Sequence, residues 1–269
     1  MNNLYILKLG GSIVTYKDSK EFKIRVALLE QIARELKIIV NVNDLKLIIV
    51  HGAGSYGHVP AKLYGFDKKQ DMNDINWLGA LKVKSSVQEL NTMIIDIFLK
   101  NNLPVFPIHS SSIVKKNKGA IDQFFLSSIE AALDNNLIPV LYGDMVFDVD
   151  EKISICSGDQ IVPYIANQFK IEKIFYATDV DGVFDIDPYV STEAKLIREV
   201  EMNGEVINMK ADLTSSHNKD VTDGLRGKVL ELFTLKHSTE VCIFNGLRGE
   251  NFELAMLGKL KNCTKIKKT

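Results

Sequence analysis

A chain of 269 residues can bury a sizeable core, and its length is compatible with one α/β domain or two closely joined lobes. With 33 Lys and Arg against 34 Asp and Glu, a formal charge of -1, it has no general attraction for nucleic acid or an anionic membrane, and no apolar run approaches the roughly 20 residues that span a bilayer. Cys156, Cys242 and Cys263 are odd in number, far apart and without metal-type spacing, so they are expected to be reduced, buried small hydrophobes; an amino terminus that enters an apolar run without a charged leader points to the cytosol.

The first apolar run, Leu4 to Leu9, predicts a strand that ends in Gly10-Gly11-Ser12, and helical spacing of Ile24, Leu28, Ile32 and Leu36 predicts a helix between Glu21 and Val40. Leu45 to Val50 reads as a buried strand that opens into a loop, His51-Gly52-Ala53-Gly54-Ser55-Tyr56-Gly57-His58. A long amphipathic helix follows from Asp74 to Asn101, stopped by Asn101-Asn102 and Pro104. Val105 to Ile108 is a strand, Gln123 to Leu133 a helix and Ile138 to Tyr142 a strand, so strands and helices alternate as in a mainly parallel sheet covered on both faces. Met145 to Phe147 and Lys152 to Ile155 read as a hairpin. After Gly158-Asp159 a helix runs to about Phe169, and Lys173 to Ala177 forms a strand that ends in Thr178-Asp179-Val180-Asp181-Gly182. From Asp185 to Asp223 the polar, turn-rich sequence predicts loops with short elements. Leu225 to Leu235 is then a helix, Val241 to Phe244 a strand and Asn251 to Leu257 a short helix, while the lysine-rich end from Lys259 to Thr269 reads as a solvated face.

Several of these strands end in glycine- or acid-rich turns, and strand ends of an open α/β sheet converge on one crevice. Backbone amides of the 51–58 stretch can wrap an anion, and His58 adds a side chain whose charge is tuned near pH 7; a glycine-rich turn with a capping histidine is the plain alternative. Lys8 lies within a strand next to a double glycine, where burying its charge is costly unless an anion meets it; a lysine reaching outward from an edge strand would need none. Lys228, following Gly224, falls in the first turn of a predicted helix, where backbone amides already favour anions.

Taken together, the motifs resemble the amino acid kinase family. The matching pieces are Lys8-Leu9-Gly10-Gly11-Ser12 with Thr15 and Lys17, the stretch from His51 to His58, Ser157-Gly158-Asp159, the stretch from Ala177 to Phe184, and Asp220-Val221-Thr222-Asp223-Gly224 leading to Lys228. Tyr56 stands where the family usually has phenylalanine, and Asp223 where glycine is commoner. The resemblance implies a three-layer αβα sandwich with a mainly parallel central sheet. It also implies a single domain over 1–269, with an acceptor lobe over about 1–170 and a nucleotide lobe over about 171–269, and a homodimer. The implied activity is transfer of the ATP γ-phosphoryl, with Mg²⁺ bridging the nucleotide phosphates, to the phosphate of an isoprenoid monophosphate. In that reading Lys8, Lys17 and Lys228 cancel repulsion between the reacting phosphates, Asp159 holds Lys8 and Lys228, and His58 meets the acceptor. Ala53, Gly54 and Gly158 line the phosphates, and Gly10, Gly11, Ser12, Thr178, Asp179, Asp181, Gly182 and Gly224 touch the nucleotide. The apolar tail would lie along the helix from Asp74, whose stripe of Leu81, Val83, Val87, Leu90 and Ile94 supplies part of its wall and is for the most part ordinary core. A phosphonate acceptor such as fosfomycin, or a nucleotide-binding regulator without turnover, are the competing readings.

Overall fold

The computed structural model of the chain describes residues 4–16, 22–43, 45–68, 74–203, 206–208 and 231–268. Strand β1 (Leu4–Leu9) enters the one-turn helix α1 (Gly11–Val14), and α2 (Val26–Asn43) leads to β2 (Lys46–His51). Helices α3 (Gly54–Leu63) and α4 (Trp77–Lys100) precede β3 (Val105–Pro107) and the short α5 (Ser110–Ile113). A hairpin of β4 (Val114–Asn117) and β5 (Ala120–Phe124) is followed by α6 (Ser127–Asp134) and β6 (Ile138–Tyr142). A second hairpin, β7 (Asp144–Asp148) and β8 (Lys152–Cys156), runs into α7 (Gly158–Gln168) and β9 (Lys173–Thr178). The remaining described elements are β10 (Val183–Phe184), β11 (Leu196–Ile197), β12 (Glu199–Asn203), β13 (Val206–Asn208), β14 (Glu240–Asn245), α8 (Asn251–Met256) and β15 (Cys263–Lys268).

Nine strands form the main sheet in the order β13-β12-β15-β14-β9-β1-β2-β6-β3. The six from β14 to β3 are parallel, and their sequences are almost continuously apolar, as strands buried on both faces require. Side chains alternate between those faces. Tyr5, Leu7 and Leu9 enter one core with α2, α4 and α8, while Ile6 enters a second core with α6 and α7. Two cores on opposite faces of one sheet make the expected three layers. The second sheet, β5-β4-β7-β8, stands beside it.

Four expectations change. The stretch from His51 to His58 is not a loop throughout, because α3 begins at Gly54; Gly57 and Pro60 weaken helix propensity, but α3 packs on α4, with Gly57 seated against Val87, and tertiary contact prevails. The helix expected from Gln123 begins at Ser127, since Ala120–Phe124 pairs with Val114–Asn117. That hairpin was hidden by lysines: Lys116 occupies an inward strand position and is only 4% exposed, its ammonium donating to Ile155 O at 2.7 Å. The helix expected from Glu21 begins at Val26, because Ile24 bridges to Thr15 as a strand residue. The lysine-rich end is a strand of the main sheet: β15 lies antiparallel to β14 and buries Cys263, Thr264 and Ile266 among its lysines. Most of the predicted helix from Leu225 lies outside the described residues.

The cysteines are free and buried, as expected, and the sheet brings Cys242 and Cys263 into thiol contact. Among the described residues no helix is long and apolar enough to cross a membrane.

Candidate active site

Because β1, β2 and β9 are parallel neighbours, the turns after them emerge at the same sheet edge. They are also tied to one another. Gly10 N donates to Ala177 O at 2.9 Å and Gly52 N to Leu9 O at 2.8 Å. Thr15, 1% exposed, bridges the first two turns, its hydroxyl donating to Gly11 O at 3.0 Å and accepting from Ser55 N at 3.1 Å. Arg25 clamps the end of α1 through Ser12 O at 3.0 Å and Thr15 O at 3.3 Å.

Gly54 is where the second turn becomes a helix. Its φ of +50° disfavours a side chain, and a Cβ there would overlap the Thr15 hydroxyl and lie 2.9 Å from Gly11 O. Gly54→Ala is therefore expected to destabilise the protein by about 2 kcal/mol or more, from backbone strain and overlap together. Urea unfolding measures this, and an unchanged midpoint would contradict the interlock. Helix α3 has no side-chain cap at Ala53, and although Thr15 takes the Ser55 amide, the positive end of the helix dipole lies at the turn after β2. His58 is exposed four residues after Gly54, one helical turn along the same side of α3.

Lys8 is inside, 3% exposed, with its side chain on the α7 face of the sheet. Its ammonium donates to Asp159 Oδ1 at 2.6 Å, and the Asp159 side chain keeps 24% exposure toward the crevice. Helix α7 rests on β1 and β2, and Gly158 brings it close: a Cβ there would lie 2.9 Å from Lys8 Cε. Ser157 caps α7 by accepting from Gln160 N at 3.2 Å. An ammonium has three donors, so the contact with Asp159 leaves Lys8 donors to spare.

The turn after β9 carries two kinds of residue. Thr178 and Gly182 shape it, the Thr178 hydroxyl donating to Val180 O at 2.9 Å and Gly182 seated against Thr264 of β15. Asp179 and Asp181 carry its carboxylates, and the Tyr189 hydroxyl donates to Asp179 Oδ2 at 3.1 Å. His51 is fully buried, stacked on Tyr142 at 5.3 Å between centroids, with Nδ1 3.0 Å from Gly52 O and Nε2 3.1 Å from Asn91 Oδ1. Burial foremost lowers its pKa, which leaves it neutral and structural.

Thus Lys8, Gly10, Gly11, Ser12, Ala53, Gly54, Gly158 and Asp159 are brought to one sheet edge, with Thr178, Asp179, Asp181 and Gly182 on the adjoining strand end. Lys17, Asp223, Gly224 and Lys228 lie outside the described residues. The expected apolar wall is not one surface. Leu90 and Ile94 belong to the main core, Leu81 is 55% exposed, and only Val83 joins a separate small cluster with Ala61, Phe66, Ala80, Met145 and Ile153, between α3, α4 and the second hairpin. A hollow of 580 Å³ near Trp77, Lys115, Phe125 and Phe147 shares no residue with these turns.

Two side chains near Lys8 were missed. Glu231 stands within electrostatic reach of Asp159: burial first, then the Asp159 charge, raises its pKa, while Lys116 and a hydrogen bond from the Gln160 side chain oppose the rise. Tyr176 is the residue paired with Lys8 across β9 and β1. Its only signal in the sequence is a hydroxyl within an otherwise apolar strand.

A match to the amino acid kinase family spans residues 3–245. Isopentenyl phosphate kinase of Methanothermobacter thermautotrophicus is 35% identical over 98% of this chain and 98% of its own length. That of Methanocaldococcus jannaschii is 35% identical over 96% of each. A solved isopentenyl phosphate kinase structure superposes with a TM-score of 0.83 at 32% identity, covering 98% of this chain and 100% of that one.

Proposed function

Since the chain belongs to the amino acid kinase family, we propose that it transfers the γ-phosphoryl group of ATP to the phosphate of isopentenyl phosphate, forming isopentenyl diphosphate and ADP. The observation that carries the reading is the buried Lys8 ammonium, held by Asp159 where three glycine turns meet. The likeness to isopentenyl phosphate kinases along nearly the whole chain supports the choice of acceptor.

An acceptor phosphate oxygen attacks the γ-phosphorus, the bond from that phosphorus to the bridging oxygen breaks, and ADP leaves with its electron pair. A phosphate monoester has a second pKa of about 6, so the acceptor is already largely dianionic and needs no general base. The barrier lies in bringing two polyanions into line, and cations with fixed dipoles lower it. Lys8 supplies one cation at the sheet edge, and Lys17 and Lys228 are proposed for the others. The amides of Ala53, Gly54 and Gly158 orient the phosphates, with His58 as the cation or donor on the acceptor side. Gly10, Gly11, Ser12 and the turn from Thr178 to Gly182 hold the nucleotide, with Gly224.

Mg²⁺ usually takes one or two carboxylates with substrate phosphates rather than a full protein cage. Asp179 and Asp181 at the end of β9 fit that demand, and the bound ion would neutralise charge on the nucleotide phosphates. The small cluster of Ala61, Phe66, Ala80, Val83, Met145 and Ile153, buried between α3, α4 and the second hairpin, is the apolar packing against which the isoprenoid tail is proposed to lie. An acceptor lobe over about 1–170, a nucleotide lobe over about 171–269 and a cytoplasmic homodimer complete the proposal.

The test is ADP release with Mg·ATP and isopentenyl phosphate, beside fosfomycin and UMP. Turnover is expected with isopentenyl phosphate and at least about 10²-fold less with UMP, whose polar nucleoside cannot enter an apolar slot without unpaired groups, while fosfomycin, with its short epoxide body, is expected to be slower than isopentenyl phosphate. Preference for fosfomycin would move the assignment to a phosphonate kinase, and ATP binding without turnover on any acceptor would favour a regulator.

A further inference from the structure

Tyr176 is fully buried, yet its hydroxyl makes no hydrogen bond to any described residue. The strand register places it directly beside Lys8, and paired residues of neighbouring parallel strands project to the same face. The Lys8 ammonium lies 5.9 Å from the centre of its ring and 2.6 Å from Asp159 Oδ1. Burial above all, then the charges of Asp159 and Glu231, raise the phenol pKa well above its ordinary value, so the group is a neutral donor throughout the working pH range. An unpaired buried donor is disfavoured, and phenylalanine would fill the same space without that penalty.

We propose that Tyr176 is a positioning residue of the phosphoryl-transfer site, its hydroxyl donating to Asp159 when incoming phosphates draw the Lys8 ammonium toward the crevice. This inference rests on the phosphoryl-transfer reading above. The physical need is specific. While Lys8 is fully engaged with Asp159, the carboxylate has a strong donor. When substrate phosphates compete for the same ammonium, Asp159 loses part of that bond, and it must keep its orientation for Lys8 to keep its own. The phenol is the buried donor beside that pair, on the same face of the sheet as Lys8 and within electrostatic reach of Asp159. Glu231, bonded to the Gln160 side chain, is the competing acceptor.

The experiment compares Tyr176→Phe with the unaltered enzyme, using Mg·ATP and isopentenyl phosphate at saturation, together with thermal unfolding. A structural hydroxyl and a positioning one predict different pairs of results. The expected result is a kcat about tenfold lower, the size of one hydrogen bond to a charged group, with both KM values within about twofold and Tm unchanged or higher. An unchanged kcat overturns the proposal, as does a lower kcat that comes with a lower Tm or with a KM change of similar size. Absence of turnover in the unaltered enzyme would instead remove the functional reading and this inference with it.

Discussion

Lys8→Ala is expected to lower kcat by about 10³, at the upper end of what one charge-stabilising group contributes. The lysine is 3% exposed and held by Asp159 where the glycine turns meet, so a solvent-borne cation cannot take its place. Loss should fall on kcat more than on either KM, because the charge it offsets grows as the phosphates are pressed together. The variant also leaves Asp159 without its described partner, and thermal unfolding must accompany the kinetics so that a misfolded protein is not read as an inactive one. A folded Lys8→Ala protein with a normal rate would make the lysine structural and remove the centre of the proposed mechanism.

His58→Ala is the second large effect, about 10² in kcat with isopentenyl phosphate, with nucleotide affinity changed less than about twofold. The asymmetry follows from position. His58 lies one turn along α3 from Gly54, on the exposed side of the helix, whereas the nucleotide is assigned to the turns after β1 and β9. Equilibrium binding of ATP together with acceptor kinetics separates the two. If saturating acceptor restored the full rate, His58 would only aid binding; if ATP affinity fell in step with kcat, the acceptor and nucleotide sides of the proposal would have to be exchanged.

The fold was legible where one signal dominated. The six parallel strands are apolar runs with punctuation at both ends, and each was found within a residue or two. Reading failed where burial contradicted composition. Lysines masked two strands: Lys116 hides its ammonium on a carbonyl, and β15, read as a solvated face, buries Cys263, Thr264 and Ile266 among its lysines. The site was legible in its glycines because Gly54 and Gly158 meet backbone and side-chain neighbours that leave no room for a Cβ. Tyr176 and Glu231 were invisible because their significance comes from strand register and from a neighbour far away in sequence. The stripe on α4 is for the most part ordinary core, as expected, because amphipathic spacing reports a buried face and α2 and the sheet occupy most of it.

The hydroxyl of Thr15 sits between Gly11 O and Ser55 N, and this small bridge sets a fixed gauge between the first two turns. A spacing held by one side chain cannot widen for a bulkier head group without breaking both bonds. Tolerance for unusual substrates should therefore be uneven: analogues altered at the phosphorus end would be refused, whereas those lengthened at the hydrocarbon end meet a compressible boundary of methyl groups and thioether. Engineering toward longer prenyl chains would accordingly begin by trimming Met145 or Val83 and leave the glycine turns untouched.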